Sequence, residues 1–255
     1  MSWDPDQYLK FADHRLRPAI DLLNRVDLTN PTEIYDLGAG TGSVTRLIQM
    51  RWPAARIVGV DSSTEMLTKA TDEAAGIVWE QADLATWQPR SGASLIYSNA
   101  ALHWLPDHER LFPALLGYLE AGGVLAVQMP HNFTAPSHAL VDQAARSGSW
   151  RSRLEPVLKP PPVAEASFYY DVIARHAAEV DIWETEYLHV LEGADPVKEW
   201  IKGSWLRPLL DVLDEPQRSD FEACYAALAR DAYPQRADGR TLLPFRRLFL
   251  IARVA

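Results

Sequence analysis

Cysteine is nearly absent: among 255 residues only Cys224 is one. A single thiol excludes an intramolecular disulfide and a thiolate metal cluster, and its setting in "DFEACYAALA" suits the inner face of a helix better than a nucleophile. An excess of positive charge is also missing. The formal net charge is −9, which argues against a protein that grips nucleic acid through its phosphates. No window approaches the roughly 18 apolar residues of a membrane span. The opening "MSWDPDQYLK" has no basic stretch followed by an apolar run, so no secretory leader is read there. These absences lead to the expectation of a soluble, cytoplasmic protein without nucleic-acid or membrane partners. What is present is an ordinary globular composition, 47% hydrophobic and 23% charged, long enough for one sizeable core with an inserted cap.

Strand and helix patterns alternate from Glu33 to Val127: "EIYDL", "SVTRLIQMRW", "ARIVGVD", "STEMLTKATDEA", "IVWEQAD", "ASLIYSN", "DHERLFPALLGYLE" and "GGVLAVQM". The strand runs are short and apolar throughout, as in strands covered on both faces, so a parallel sheet with crossover helices is expected. After Met129 the rhythm breaks into helical pieces and the proline cluster Pro160–Pro162, which reads as a cap or lid. Alternation returns in "DIWETEYLHVL" and in the closing "LLPFRRLFLIARVA", with helices between them. The expected organisation is one domain in four stretches: a helical cover over 1–30, a cofactor-binding core over 31–131, a cap insertion over 132–180, and final strands with inserted helices over 181–255.

The stretch "IYDLGAGTG", Ile34–Gly42, joins a strand to a helix through glycines at every second position. A dinucleotide fingerprint would carry a third glycine where Ser43 stands, so the fit to a nicotinamide or flavin loop is imperfect. Glycines this dense let the backbone run against a ligand, and Asp36 just before them suits a cationic or ammonium-bearing cofactor, or else holds the loop's own amides. Asp61, closing "IVGVD", stands where an acidic side chain accepts the hydroxyls of a ribose. A ribose with a positive tail suggests S-adenosylmethionine, leaving S-adenosylhomocysteine.

In that order, "YDLGAGTG", "GVDSS", "QADLATW", "SNAALHWLPD" and "LEAGGVLAVQM" resemble the successive motifs of the class I S-adenosylmethionine-dependent methyltransferases. The N-terminal "WDPDQYLKFADHRLRPAIDLL", the "MPHNFTAPSH" after the fifth strand and the closing "LLPFRRLFLIA" resemble the branch of that family that esterifies a small tricarboxylate, trans-aconitate. The resemblance implies a Rossmann-like, doubly wound, mostly parallel seven-stranded sheet with an antiparallel last strand. It implies that the backbone of Gly38, Ala39 and Gly40 passes the cofactor's methionine portion, that Asp61 takes the ribose, with Ser62 beside it as a further cofactor-binding candidate, that Asp83 and Leu84 sit at the adenine, and that Asn99 lies near the transferable methyl. Tyr8 and Arg15, in a segment with helical spacing, are candidates for covering the cofactor cleft. No metal is implied.

Ligands of open parallel sheets bind beyond the carboxyl ends of the strands, which makes His103, Trp104 and His131 candidates for the substrate side. An antiparallel last strand would begin at the same mouth. From Arg230 to Ala255 six arginines face two aspartates, a local +4 in an acidic chain, so Arg240, Arg246 and Arg247 are candidates for holding substrate carboxylates through paired hydrogen bonds. Alternation sends Arg246 and Arg247 to opposite faces, so only one of that pair can point inward. A carboxylate is already ionised near neutral pH, so His103 and Trp104 are expected to position rather than to remove a proton. The expected reaction is direct transfer of a methyl from S-adenosylmethionine to a small anionic carboxylic acid by a monomer or homodimer. The alternatives are methyl transfer to another acid, a phenol or an amine, a cofactor-binding module without catalysis, and a nicotinamide dehydrogenase.

Overall fold

The structure, a computed structural model, describes residues 12–73 and 76–255. Its strands are β1 (Glu33–Leu37), β2 (Arg56–Asp61), β3 (Val78–Gln81), β4 (Ala93–Asn99), β5 (Leu119–Pro130), β6 (Glu179–Leu191) and β7 (Thr241–Arg253). They form one seven-stranded sheet in the order β3-β2-β1-β4-β5-β7-β6. Pairing is parallel from β3 through β5 and antiparallel between β5 and β7. The α/β class, the strand number and the reversed last strand agree with the sequence reading. Its helices are α1 (Ala12–Arg25), α2 (Ser43–Arg51), α3 (Thr64–Glu73), α4 (His108–Gly117), α5 (Pro136–Ser147), α6 (Arg151–Leu154), α7 (Ala166–Ile173), α8 (Pro196–Lys202), α9 (Arg207–Leu210) and α10 (Gln217–Ala232).

Two compact units account for the chain. The sheet unit consists of Arg15–Pro130, Val163–Thr185 and Arg247–Ala255. In its central strands every residue from Ala93 to Ser98 and from Gly123 onward to Met129 is buried or nearly so, because crossover helices cover both faces. Tyr97, fully buried in β4, donates from its hydroxyl to the Ala19 carbonyl of α1 at 2.7 Å. That bond satisfies the one polar atom of an otherwise apolar side chain and ties α1 to the sheet. The strand β5 starts earlier than the apolar run suggests, at Leu119, where the pairing with β4 shifts register beside Ala93 and Gly122 adopts a left-handed φ of 76°.

The helical unit consists of His131–Pro162 and Glu186–Arg246. The helix α10 packs on α5 and α8 around a core that includes Val141, Trp150, Leu154, Trp200, Phe221, Tyr225 and Phe245. Ser137 links several of its polar groups. Ser137 donates its amide to the Tyr233 hydroxyl at 3.0 Å, accepts on its carbonyl from Tyr225 at 2.8 Å, and accepts on its hydroxyl from Asn132 at 3.1 Å. Cys224 is partly buried against this core with Sγ 3.6 Å from Ser147 Oγ. The proline cluster ends this unit at Pro162, and the chain rejoins the sheet unit at Val163.

Phe221 is fully buried and meets Trp150 edge to face at a centroid distance of 5.8 Å. Phe221→Ala is therefore expected to cost about 3–5 kcal/mol, read as a lower urea midpoint for unfolding.

Candidate active site

The glycine loop between β1 and α2 combines left-handed backbone with hydrogen bonds to the end of β2. Gly38, Gly40 and Gly42 have φ of 80°, 57° and 77°, a region that side chains with a Cβ rarely adopt. The amides of Gly38 and Ala39 both donate to the Val60 carbonyl, at 2.8 and 3.0 Å, which folds the loop over the end of β2. The Gly40 amide donates to Asp61 Oδ2 at 2.8 Å, and Asp61 Oδ1 accepts from the Ser63 amide at 2.9 Å. One carboxylate thus fixes the loop and the turn into α3 together.

The three glycines answer to three different neighbours. A Cβ on Gly38 would lie 2.2 Å from Cβ of Ala101, in the turn after β4. A Cβ on Gly42 would lie 2.5 Å from the Trp79 ring, which also fills the space above Gly59. Among the described residues nothing stands within 4 Å of the corresponding position on Gly40, so they leave the backbone there open to a ligand. Trp79 and Ala101 are residues the sequence reading did not single out. No spacing rule relates them to the loop, since each comes from a different strand end.

Asp36 lies beneath the loop rather than in it. Its side chain is buried, and Thr45 of α2 donates a hydroxyl to Oδ2 at 2.6 Å, so the carboxylate anchors the helix to β1. Burial raises its carboxyl from the ordinary carboxylate range to about 7, the Thr45 bond opposes that rise, and the Asp61 charge adds to it. Ser62 and Asp83 are exposed, and Asp83 Oδ1 accepts from the Ala85 amide at 2.9 Å to shape the turn after β3, with Leu84 half-buried beside it. Asn99 ends β4, half-buried, with Oδ1 buried and without a hydrogen-bond partner among the described residues. Arg15 stands in the first turns of α1, and Tyr8 lies outside the described residues.

Beyond Asn99 the chain turns sharply. Ala100 has a left-handed φ of 53°, and its amide donates to the Gln128 carbonyl at 2.9 Å. A short 3₁₀ turn, Leu102–Trp104, then carries His103, buried, and Trp104, half-buried, with ring centroids 4.5 Å apart. Arg247 belongs to the same unit. Only 4% exposed, it lies in β7 opposite Pro130, and its Nη1 donates to Gln128 Oε1 at 3.4 Å. The registers Asn99 to Gln128 and Gln128 to Phe249 set these residues on one sheet face, and Arg247, two positions from Phe249, shares it. Gln128 is fully buried and its Nε2 has no partner among the described residues. A guanidinium, two amides and the His103 turn therefore gather at the carboxyl ends of β4 and β5.

The other candidates belong to the helical unit. The His131 amide donates to the Arg246 carbonyl at 2.9 Å, and the Arg246 amide donates to Asn132 Oδ1 at 3.2 Å, so this loop is pinned to β7. The Arg246 guanidinium reaches Thr134 Oγ1 at 3.4 Å. Arg240 is exposed, with Glu192 at 2.9 Å and Asp238 at 3.7 Å, so two carboxylates already offset its charge. The opposite facing of Arg246 and Arg247 is as alternation requires, and Arg247 is the buried one. Among the described residues no three His, Cys, Asp or Glu side chains are grouped to hold a metal ion, and no helix is long and apolar enough to cross a membrane.

Below about pH 4 both the folded and the unfolded chain keep the Asp36 proton. As pH rises towards 7 the unfolded chain releases it while the folded chain retains it, so the ligand-free protein loses stability over that window. Asp36→Asn, which can still accept from Thr45, is expected to flatten this slope and to raise the thermal midpoint at pH 7.5. The gain is on the order of a few kcal/mol. Gly38→Ala, which displaces the loop from Ala101, and Gly40→Ala, whose Cβ would enter the space left for the ligand, are both expected to weaken binding of S-adenosylhomocysteine strongly in calorimetry, the first with the larger loss of thermal midpoint.

A family model described as a methyltransferase domain matches residues 34–123. The chain is 47% identical over 251 residues to a protein of Azoarcus sp. (strain BH72) named trans-aconitate 2-methyltransferase, covering 98% of each. It is 42% identical to one of the same name from Rhodopseudomonas palustris (strain BisB18), again covering 98% of each. Among solved structures, the YcgJ protein of Bacillus subtilis is similar in fold, with a TM-score of 0.62 at 14% identity over 93% of this chain and 98% of that one. So is Haemonchus contortus phosphoethanolamine N-methyltransferase 2, solved with phosphomonomethylethanolamine and S-adenosylhomocysteine, at a TM-score of 0.54 and 14% identity, covering 94% of this chain and 53% of that one. With the glycine loop, Asp61 and the Asn99 turn arranged on such a sheet, the full-length identity shows that the chain belongs to the trans-aconitate 2-methyltransferase family of S-adenosylmethionine-dependent methyltransferases.

Proposed function

We propose that the protein transfers a methyl group from S-adenosylmethionine to a carboxylate of trans-aconitate, giving a monomethyl ester and S-adenosylhomocysteine. The observation that carries this reading is the identity of 42–47% over nearly the whole length to relatives bearing that name. The loop fits the cofactor in its own right: the open approach above Gly40 and a carboxylate at the end of β2 suit a nucleoside with a cationic tail. The backbone of Gly38, Ala39 and Gly40 would meet the methionine portion, Asp61 and Ser62 the ribose, and Asp83 and Leu84 the adenine. When bound, the cofactor supplies a sulfonium-activated methyl.

Such a reaction asks little chemistry of the protein. The attacking carboxylate oxygen forms a bond to the methyl carbon while the carbon–sulfur pair stays with sulfur, and no proton moves. Opposite charges on the two reactants disappear together in the transition state, so exclusion of water favours transfer, and alignment supplies the proximity term. Arg247, buried with Gln128 at its side, is the group suited to a carboxylate that is not methylated. His103 and Trp104 would form a wall that orients the acid. Arg240, offset by Glu192 and Asp238, is the arginine least suited to this role.

The test is turnover of trans-aconitate followed by mass spectrometry, beside citrate and a phenolic acid. A gain of one methyl on trans-aconitate is the expected result, and methylation of the phenol alone would overturn the substrate reading. Arg247→Met is expected to raise KM for trans-aconitate by roughly 10- to 100-fold, the worth of a hydrogen bond to a charged group. The dissociation constant for S-adenosylhomocysteine should stay unchanged.

A further inference from the structure

A histidine outside the residues assigned above governs the turn that carries His103 and Trp104. His108, the first residue of α4, is buried, and both of its ring nitrogens are engaged. Nε2 lies 3.0 Å from the Leu102 carbonyl, and Nδ1 lies 2.8 Å from the hydroxyl of Tyr169 in α7. Tyr169 is fully buried, and its oxygen accepts from the Ala164 amide at 3.3 Å. Phe112 packs edge-on against the His108 ring at 5.5 Å and tilted against Tyr169 at 5.1 Å, so both rings sit in a packed aromatic cluster.

The hydrogen positions follow from the partners. A carbonyl can only accept, so Nε2 carries the proton and donates to Leu102. In a neutral imidazole Nδ1 must then accept, so the Tyr169 hydroxyl donates to it. Ala164 N–H to Tyr169 O–H to His108 Nδ1, and Nε2–H to Leu102 C=O, form one chain in which every polar atom has a single direction. Burial supports this by pushing the His108 imidazolium below its ordinary range, towards the neutral ring. Asp107, the N-cap just before α4, turns its side chain to the Arg110 amide at 3.3 Å, and its charge, like the Leu102 bond, opposes that shift without cancelling it.

Leu102 opens the 3₁₀ turn. Its carbonyl also accepts from the Leu105 amide at 3.0 Å, and the Trp104 amide is bound to the Ala101 carbonyl at 3.1 Å. Ala101, on the other side, is the residue against which Gly38 needs to be glycine. The turn is thus held between the cofactor loop at one end and His108 at the other. Val163–Thr185, which supplies Ala164 and Tyr169, is the stretch where the chain returns to the sheet unit after the helical segment ending at Pro162.

We infer that His108 and Tyr169 are positioning residues for methyl transfer: through the Leu102 carbonyl they fix the turn that presents His103 and Trp104, and they tie that turn to the chain's return at Ala164. The inference deepens the reading of the site proposed above and rests on it for the identity of the acid.

The experiment compares His108→Asn, His108→Gln and Tyr169→Phe with the unaltered protein in three measurements. Amide hydrogen exchange over residues 101–105 needs no substrate, calorimetry gives the dissociation constant for S-adenosylhomocysteine, and steady-state kinetics with trans-aconitate separates kcat from KM. His108→Asn keeps an amide near the Nδ1 position but loses the reach to Leu102. It is expected to raise exchange over 101–105 and to lower kcat on the order of 10- to 100-fold, as misalignment of a reacting pair does. Affinity for S-adenosylhomocysteine should stay within about twofold. His108→Gln, whose amide nitrogen extends to the Nε2 position, should restore most of the protection and of kcat, and Tyr169→Phe should fall between the two. Equal losses in Asn and Gln variants, accompanied by a lower thermal midpoint, would reduce His108 to core packing and overturn the inference. So would unchanged exchange over 101–105 in all three. If the unaltered protein methylates no acid while exchange responds as described, the substrate reading fails and the positioning role stands.

Discussion

The approach of two turns to each other, Gly38 against Ala101, is the constraint on which the site depends. The loop after β1 and the turn after β4 come from adjacent parallel strands, and 2.2 Å between a hypothetical Cβ and Ala101 leaves room for hydrogen alone. Gly38 therefore serves two ends at once, a left-handed φ and a close contact. Because the amides of Gly38 and Ala39 bind Val60, and that of Gly40 binds Asp61, the same loop is locked to β2 on its other side. Three strand ends are thus fastened through one short piece of backbone.

Much of this was legible in the sequence because it follows from local rules. Short apolar runs between helical patterns gave a parallel sheet, the glycine spacing gave a turn, and Asp61 closed the second strand as a carboxylate should. The facing of Arg246 and Arg247 followed from a period of two. What stayed hidden was every feature made by residues distant in sequence. Trp79 explains Gly42 and Gly59 only once β3 lies beside β2. Gln128 meets Arg247 across 119 positions, and His108 meets Tyr169 across 61. A proton's direction along such a chain depends on which atoms meet, and no periodicity encodes that.

Asp36 shows the same limit from another side. A carboxylate before a glycine turn reads equally well as a ligand for a cationic cofactor or as a structural acceptor, and both readings stood open in the sequence. The fold puts it under the loop, bonded to Thr45, where desolvation rather than contact sets its character. Its influence on a bound cation would then be exerted through the field and through Asp61, whose charge already raises the Asp36 carboxyl. A cation bound near Asp61 would offset that charge and draw the Asp36 carboxyl back towards its ionised form.

The opposite charge is arranged by the same physics. A buried guanidinium is costly unless its hydrogen bonds are met, and Gln128 meets one with a neutral oxygen rather than a carboxylate. Arg240, exposed, has Glu192 and Asp238 beside it instead. The carboxyl groups of Asp36 and Asp61 lie at the ends of β1 and β2 by the glycine loop, and the Arg247 guanidinium, with the Gln128 amide, lies on the face shared by β4, β5 and β7. Both arrangements belong to one sheet unit, and their polarity suits a positive methyl donor and a negative acceptor whose charges vanish as the methyl moves.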